Sequence, residues 1–286
     1  MERGVSDWLM QCSLPDNTEL QEHTLKTDRC IVIGDRCKID YGLQGDDVVI
    51  CEFCSINGNI LADGDVRIDN FCEIRGDVVS RQDAYLGEGV TIQGRLVVSG
   101  DLDIGDNVII EKGFEAKGWI SIRNPMPVIA YIVLYLVALL GIEKEEELDN
   151  FMKEFFGDDD DEGDDRQAAG APLMIPTSSV LTMEKFSVPG TMTIGTKCRL
   201  HGNIRADSIH VMEEATIFGS LKAKERVTIA DLSTVHGDVT GGGPVQISAG
   251  VHVLGDVRCG SLVLHENARV DGTIRAPEGV RIERAA

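Results

Sequence analysis

The sequence predicts an all-β fold, a right-handed triangular β-helix (a solenoid) with about 17–18 residues per coil that is interrupted by a helical hydrophobic insert. Three observations predict it. A glycine recurs at a regular interval, apolar columns keep the same interval, and one long uncharged stretch separates two runs of repeats. The 31 glycines and 5% aromatic residues also favour short strands and many turns over bulky helical packing.

The glycine repeat lies in short apolar units such as CEIRGDV (72–78) and TVHGDV (234–239). Within each run the spacing of successive glycines varies by no more than a single position. We expect this column to mark a corner at which the chain turns sharply. The repeated glycines are Gly58, Gly76, Gly94, Gly202, Gly219, Gly237, Gly255 and Gly272.

Three apolar columns follow the same interval, with steps of about 6, 4 and 8 residues between them. The unequal steps favour a right-handed triangular helix over the left-handed kind, which has an apolar residue at every sixth position. Each coil therefore offers three short strands with inward β-branched or leucine side chains, and stacking the coils buries them in one core. The first column predicts eleven or twelve coils and consists of Ile33, Ile50, Ile68, Leu86, Ile104, Ile122, Ile194, Val211, Ile229, Ile247, Leu264 and Ile282.

These patterns divide the chain into five parts. The predicted parts are an N-terminal segment or cap (1–29), a first β-helical block (30–122), a hydrophobic helix followed by an amphipathic acidic helix (123–157), an acidic linker (158–180) and a second β-helical block (181–286).

The repeat units "IRGDV", "VHGDV" and "VLGDV", together with the regular interval between them, resemble those of the bactofilin family of polymer-forming cytoskeletal proteins. The resemblance covers both runs of repeats, about two thirds of the chain. It implies nucleotide-independent filaments that form by end-to-end stacking of β-helices and are often held at a membrane. The usual bactofilin has one block, whereas this chain has two around an insert, so the family's filament geometry is not carried over.

The insert begins with residues 124–142, which carry no charge. As a helix this stretch would be about 28 Å long, which is marginal for a membrane span. A second, acidic helix with an apolar stripe follows, and both alternatives, membrane contact and packing on protein, stay open. A register match also suggests that 123–185 is one enlarged loop within a single coil. The predicted arm residues are Val128, Ile129, Tyr131, Ile132, Leu134, Leu136, Leu139, Leu140, Phe151 and Phe155.

The polymer interface is predicted at the two end coils. Only the segment ERAA follows Ile282, and we expect it to be too short to cover the last coil. An uncovered coil exposes unpaired backbone groups beside an apolar cross-section, which is a template for another chain. The predicted interface residues are Val280 and Ile282 at one end, and Ile31 and Ile33 at the other.

Composition and motifs argue against several other functions. The formal net charge of −21 opposes binding of nucleic acid. No phosphate-binding loop, nucleophile elbow or HExxH motif is present, so no catalytic, metal-binding or cofactor-binding residue is predicted. Cys51 and Cys54 have CxxC spacing, but Cys37, Cys54 and Cys72 share one inward column, which favours a buried stack over a metal site. The absence of an export signal predicts a cytoplasmic protein with reduced thiols.

The sequence therefore predicts a non-enzymatic, cytoskeletal protein that polymerises with itself and takes part in cell shape, at the inner face of the membrane if the insert contacts lipid. The alternatives are a trimeric β-helical acyltransferase and a membrane-bound adaptor that does not polymerise. An acyltransferase needs a catalytic histidine. His201 and His236 each precede a corner glycine, and we expect them to be ordinary surface residues that face solvent.

Overall fold

In the computed structural model, which describes residues 11–21, 23–122, 171–182 and 184–284, every regular element is a β-strand. The part of the chain before the insert forms β1 (Cys12–Leu14), β2 (Glu19–Leu20), β3 (Thr24–Lys26), β4 (Ile31–Ile33), β5 (Lys38–Ile39), β6 (Gly42–Gly45), β7 (Val48–Ile50), β8 (Ser55–Ile56), β9 (Ile60–Ala62), β10 (Val66–Ile68), β11 (Glu73–Ile74), β12 (Val78–Ser80), β13 (Ala84–Leu86), β14 (Thr91–Ile92), β15 (Leu96–Val98), β16 (Leu102–Ile104), β17 (Ile109–Ile110), β18 (Phe114–Ala116) and β19 (Ile120–Ile122).

The part after the insert repeats this arrangement. Its strands are β20 (Leu173–Ile175), β21 (Val180–Leu181), β22 (Lys185–Ser187), β23 (Thr191–Ile194), β24 (Arg199–His201), β25 (Asn203–Ala206), β26 (Ser208–Val211), β27 (Thr216–Phe218), β28 (Leu221–Ala223), β29 (Val227–Ile229), β30 (Thr234–Val235), β31 (Val239–Gly241), β32 (Val245–Ile247), β33 (His252–Val253), β34 (Val257–Arg258), β35 (Leu262–His265), β36 (Arg269–Val270), β37 (Ile274–Arg275) and β38 (Val280–Glu283).

The strands form three long sheets that make up one β-solenoid of about twelve turns, which confirms the predicted all-β solenoid class. Sheet A has 14 strands, in the order β19-β16-β13-β10-β7-β4-β20-β1-β23-β26-β29-β32-β35-β38, and sheets B and C have 12 each. Sheet B runs from β18 to β36 and sheet C from β17 to β37. The described residues contain no helix, so the structure does not support the predicted helical insert, and residues 123–170 lie outside the described residues. The right-handed winding stays a prediction.

The core is the stack of inward side chains that the apolar columns predicted. Ile50, Leu86 and Ile229, for example, are completely buried. Within each block the strands pair in parallel and in register with the next coil, as Ile68 does with Ile50 on one side and Leu86 on the other. Each inward residue therefore stacks on its own column, and the side chains form one dry core along the rod.

At Gly76 and Gly94 the glycine column marks a close approach between coils rather than an unusual backbone angle. A Cβ at Gly76 would lie 2.3 Å from the carbonyl oxygen of Gly58, and one at Gly94 would lie 2.2 Å from that of Gly76. Neither Gly76 nor Gly94 has a positive φ. A Cβ at Gly76 or Gly94 would collide with the main chain of the preceding coil, so only glycine lets the coils stack there. Gly202 differs, because its φ is 108° and no atom lies within 4 Å of a Cβ.

Most of the positive φ angles lie at a different corner. Arg36, Phe53 and Phe71 adopt φ values between 54° and 57°, and each directly precedes a residue of the buried cysteine column. The equivalent residue one coil later is Gly89, with φ 66°. This corner therefore favours the left-handed conformation in successive coils, although most coils do not place glycine there.

The two blocks are coaxial and meet at their first coils, in the middle of the rod. Three antiparallel pairs form this junction, β1 with β20, β2 with β3 and β21 with β22. All other pairs among the described strands are parallel. The first block (24–122) therefore winds away from the junction towards β19, and the second block (185–283) winds away in the opposite direction towards β38.

The first two strands of each half of the chain pair with the block that the other half forms. Strands β1 and β2 pair in parallel with β23 and β24 of the second block. Strands β20 and β21 pair in parallel with β4 and β5 of the first block. This exchange corrects three expectations: residues 12–29 are not a cap at a rod end, residues 173–180 are not linker, and 123–185 is not one loop within a single coil.

The two halves are equivalent at an offset along the sequence that is constant up to Leu96 and Val257 and one residue shorter beyond them. Ile33 corresponds to Ile194, and at the same offset Thr18 corresponds to Ser179, which occupies the same place in the other exchanged segment. The hydroxyl of Thr18 donates to the Pro15 carbonyl oxygen at 2.7 Å, and that of Ser179 donates to its own preceding proline carbonyl at 2.6 Å. The rod is therefore an internal pseudo-dimer with two structurally equivalent ends.

Candidate polymerisation interface

End 1 of the rod consists of β17, β18 and β19, and end 2 consists of β36, β37 and β38. Each of these strands pairs with a described strand on its inner side only. Their outer edges present a row of main-chain N–H and C=O groups around an apolar cross-section. Such edges are templates for pairing with another chain.

End 1 exposes several large apolar side chains. Ile122 is 80% exposed and Trp119 is 84% exposed, and Phe114 and Ile120 are each about half exposed. One coil further in, Leu102 occupies the position equivalent to Ile120 and is completely buried. The exposure of Ile120 therefore arises because no described coil covers the last one.

End 2 has the same character with smaller side chains. Val280 is 50% exposed, Ile282 is 63% exposed and Ile274 is 36% exposed. Val280 and Ile282 thus lie on a terminal strand, at the end of the rod for which the sequence proposed them as contact residues.

Ile31 and Ile33 do not lie at an end. Both are completely buried on β4, which pairs with β20 on one side and β7 on the other. The prediction assumed that the first repeat in the sequence is also the first coil in space, whereas the halves meet there. The opposite tip is formed by Ile120 and Ile122, which the sequence analysis missed. Their position in the last repeat before the uncharged stretch was the available signal.

The direction of the strands constrains any contact between ends. Viewed along the rod, the strands of the first block circulate in one sense and those of the second block in the other, because they meet antiparallel at the junction. An observer who looks at either end of the rod from outside therefore sees the strands circulate in the same direction. Every end-to-end contact therefore brings antiparallel strands together, as the junction itself does.

Aspartates of the GDV units bind the main chain of the next coil. The Asp77 carboxylate accepts a hydrogen bond from the Arg95 N–H at 2.9 Å. In the second block Asp238 accepts from the Asp256 N–H and Asp256 from the Thr273 N–H, both at 2.9 Å. The recurring aspartate is therefore a connector between coils, which explains part of the acidic composition without any ligand.

The hydrogen bond from the Thr273 N–H, followed by the Arg258 guanidinium, holds the pKa of Asp256 below its ordinary value. A carboxyl with a lowered pKa in the folded state stabilises the fold above its unfolded pKa, and this contribution is lost as the pH falls through the folded pKa. We expect Asp256→Asn, which keeps the acceptor but does not titrate, to lose less stability than the parent between about pH 5 and pH 2. Urea denaturation across this pH range measures how much stability each protein loses.

The control is Glu213→Gln at an exposed position. It should follow the parent's pH dependence. An Asp256→Asn protein with the same acid sensitivity as the parent would show that this carboxylate is not linked to folding.

The cysteine column is buried, as the sequence predicted, and its thiols are hydrogen-bonded. Cys54 Sγ donates to the Gly34 carbonyl oxygen at 3.1 Å and Cys72 Sγ to that of Cys51 at 3.0 Å. Ser233 occupies the column in the second block, and its hydroxyl donates to a main-chain carbonyl at 2.9 Å. The cysteine thiols and the serine hydroxyl thus both donate hydrogen bonds to main-chain carbonyl oxygens at the corner with positive φ.

The thiols lie in environments that disfavour the thiolate. All eight cysteines are buried and none forms a disulfide. Burial raises the pKa of Cys198 to about 11 and raises that of Cys12 further. Within the described residues no cluster of three or more His, Cys, Asp or Glu side chains is arranged to hold a metal ion.

The histidines at the corner before the repeated glycine face solvent, which confirms their predicted orientation. His201 and His236 are exposed and stack on either side of Phe218, with ring centroids 4.4 and 4.6 Å from that of the phenylalanine. This stack follows from the repeat, because the same position in successive coils is about 4.8 Å apart.

The predicted arm residues between Val128 and Phe155 lie outside the described residues. Within the described part of the chain, no helix of the length and apolarity needed to cross a membrane is present.

Comparison with known proteins agrees with this architecture. Residues 182–275, which extend from just before β22 to the end of β37, match the family model Bactofilin, described as polymer-forming cytoskeletal. Neither the curated proteins nor the solved structures gave a match. The first block lies outside the matched range but has the same coils. The match over residues 182–275 and the β-solenoid both support a relationship to the bactofilin family of polymer-forming cytoskeletal proteins.

Proposed function

We propose that this chain is a cytoskeletal subunit that forms filaments or scaffolds by stacking its rod end to end, and that these polymers help to set cell shape. The exposed apolar strands at both ends of the rod are the observation that carries the proposal. The family match supports polymer formation independently.

The charge distribution supports stacking at the ends. The chain as a whole carries −21, which keeps molecules apart at low ionic strength. The last coil at end 2 (266–284) has four acidic and four basic residues, and that at end 1 (106–122) has three acidic and two basic. The ends therefore carry little net charge, so electrostatic repulsion between stacked copies is small there.

Concentration-dependent assembly tests the proposal. We expect the purified protein to sediment as polymers and to form filaments by negative-stain electron microscopy, more readily at high salt, where repulsion is screened. A protein that stays monomeric at every concentration and salt would contradict the proposal.

We further propose that residues 124–142 attach the polymer to the inner face of the membrane. The stretch is uncharged and begins two positions after Ile122, the exposed last residue of β19. An apolar segment beside a rod end would hold the filament close to a lipid surface without interrupting the solenoid. The alternative, packing on protein, is an outcome of the following test.

Deleting residues 124–156 should release the protein from membranes and leave polymerisation intact. The connection that remains (123 and 157–172) must span six strand positions from β19 to β20, about 29 Å. It can reach about 55 Å when extended. Cell fractionation with electron microscopy of the soluble fraction measures both effects.

The matched control deletes the acidic run 157–165 and keeps the apolar stretch. This variant should remain with the membrane fraction. If both deletions behave like the parent protein, the uncharged stretch does not anchor the polymer.

A further inference from the structure

We propose that neighbouring copies join end 1 of one rod to end 2 of the next, rather than joining like ends. This inference rests on the proposed function and specifies its contact. An open polymer needs either this unlike contact throughout or an alternation of two like contacts, end 1 with end 1 and end 2 with end 2. The backbone does not choose between them, because every end contact is antiparallel. The choice must come from side chains.

The two ends differ in the size of equivalent side chains. Phe114 on end 1 occupies the column position that Ile274 occupies on end 2. Trp119, 84% exposed, directly precedes the terminal strand of sheet A at end 1, and Gly279 holds the equivalent place at end 2. The site of a Cβ at Gly279 has no neighbouring atom within 4 Å.

These differences favour the unlike contact sterically. End 1 carries bulkier side chains than end 2 over its cross-section as a whole, so a contact between two copies of end 1 is the most crowded and one between two copies of end 2 leaves the most open space. Large residues against small ones fill the cross-section to the density of a normal core. Only the pairing of end 1 with end 2 provides this.

The two ends also differ in charge. At end 2 every terminal strand carries an outward arginine, Arg269, Arg275 or Arg281. Arg269 is paired with Asp271 at 2.6 Å, whereas no described carboxylate forms an ion pair with Arg275 or Arg281. Glu283, on the same strand as Arg281, is the only acidic residue within these three strands.

Arginine therefore meets arginine on at least two of the three faces when two copies of end 2 stack, and like charges on facing strands destabilise a sheet. The terminal strands of end 1 carry Ile109, Glu115 and Ser121 at the outward positions and no basic residue. End 1 is thus the charge-compatible partner for the arginines. Since the contact between two copies of end 2 is disfavoured, a polymer must use the unlike contact throughout.

Two singly blocked proteins test this. The first carries Ile120→Asp and Ile122→Asp, which block end 1, and the second carries Val280→Asp and Ile282→Asp, which block end 2. For the unlike contact, each protein alone is monomeric and their equimolar mixture forms a heterodimer with twice the mass. Native mass spectrometry and sedimentation equilibrium distinguish the monomers from the heterodimer when one of the two proteins carries a mass tag.

Each alternative outcome is distinguishable. Homodimers of either blocked protein, without heterodimers in the mixture, would show that like ends pair and overturn the inference. Polymers formed by each blocked protein on its own, as by the unblocked protein, would place the contact away from the ends and also overturn it. If the unblocked protein does not polymerise at all, the proposed function itself fails.

Folding of the blocked proteins is checked by circular dichroism. Should either double variant be unfolded, the single changes Ile122→Arg and Ile282→Arg replace them, because both side chains are mostly exposed, at 80% and 63%. The expected pattern of monomers alone and heterodimers in the mixture is the same.

Discussion

Val280→Asp together with Ile282→Asp is expected to abolish filaments and leave a folded rod. Both side chains belong to the apolar cross-section of end 2 and are at least half exposed in the single molecule, so their replacement costs the isolated fold little. In a stacked polymer the two carboxylates would be removed from water without partners, which costs several kcal/mol for each charge. Negative-stain microscopy and pelleting measure the loss.

The matched control is Gln246→Glu, which adds a charge on the outer face of the same sheet at an exposed position away from both ends. This protein should polymerise like the parent. Filaments of normal length from the Val280→Asp, Ile282→Asp protein would show that end 2 is not an interface.

Gly76→Ala should cause a large loss of stability for the addition of a single methyl group. The new Cβ would lie 2.3 Å from the Gly58 carbonyl oxygen and 2.6 Å from the Asn59 nitrogen, and both are main-chain atoms that cannot rotate away. Relief requires separation of two coils and strains hydrogen bonds on either side of the corner. We expect a loss of about 3 kcal/mol, the upper range for overpacking, measured by guanidinium denaturation of an end-blocked protein.

Gly260→Ala provides the comparison. The nearest atoms to a Cβ there belong to the Glu278 carboxylate, at 3.3 Å, and that flexible side chain can move. This variant should lie within about 1 kcal/mol of the parent. If the two variants are equally stable, close stacking does not explain the glycine column.

The inward columns were predictable from sequence because the same physical constraint acts in every coil. Each coil must bury one β-branched or leucine side chain per strand, so the requirement returns in the sequence once per coil. Ile50, Ile68 and Leu86 are therefore all buried where the repeat placed them. The cysteine column was predictable for the same reason, although its hydrogen bonds to corner carbonyls were not.

The reversal at the middle of the rod was not predicted, because repeats report the contents of a coil and not the order of coils in space. The exchanged segments are short and depart from the interval. A signal was nevertheless present: "LPDNTEL" (14–20) and "IPTSSVL" (175–181) share an apolar residue, a proline and a small hydroxyl residue at matching positions. Comparison of these two segments would have moved Ile31 and Ile33 from the tip to the centre.

The candidate interface was half predictable. Val280 and Ile282 followed from the expectation that the last repeat is a rod end. Ile120 and Ile122 were missed because the end of the first block was treated as a point of interruption. In the structure it is the second tip, since the chain re-enters the solenoid six strand positions away at β20.

Fibre diffraction or helical reconstruction of the filaments tests the central claim most directly. End-to-end stacking predicts a spacing of about 4.8 Å along the filament axis. It also predicts an axial subunit repeat of about 58 to 67 Å, from the 12 to 14 strand layers of each rod. Filaments in which the 4.8 Å spacing runs across the axis, so that the rods lie side by side, would contradict the account.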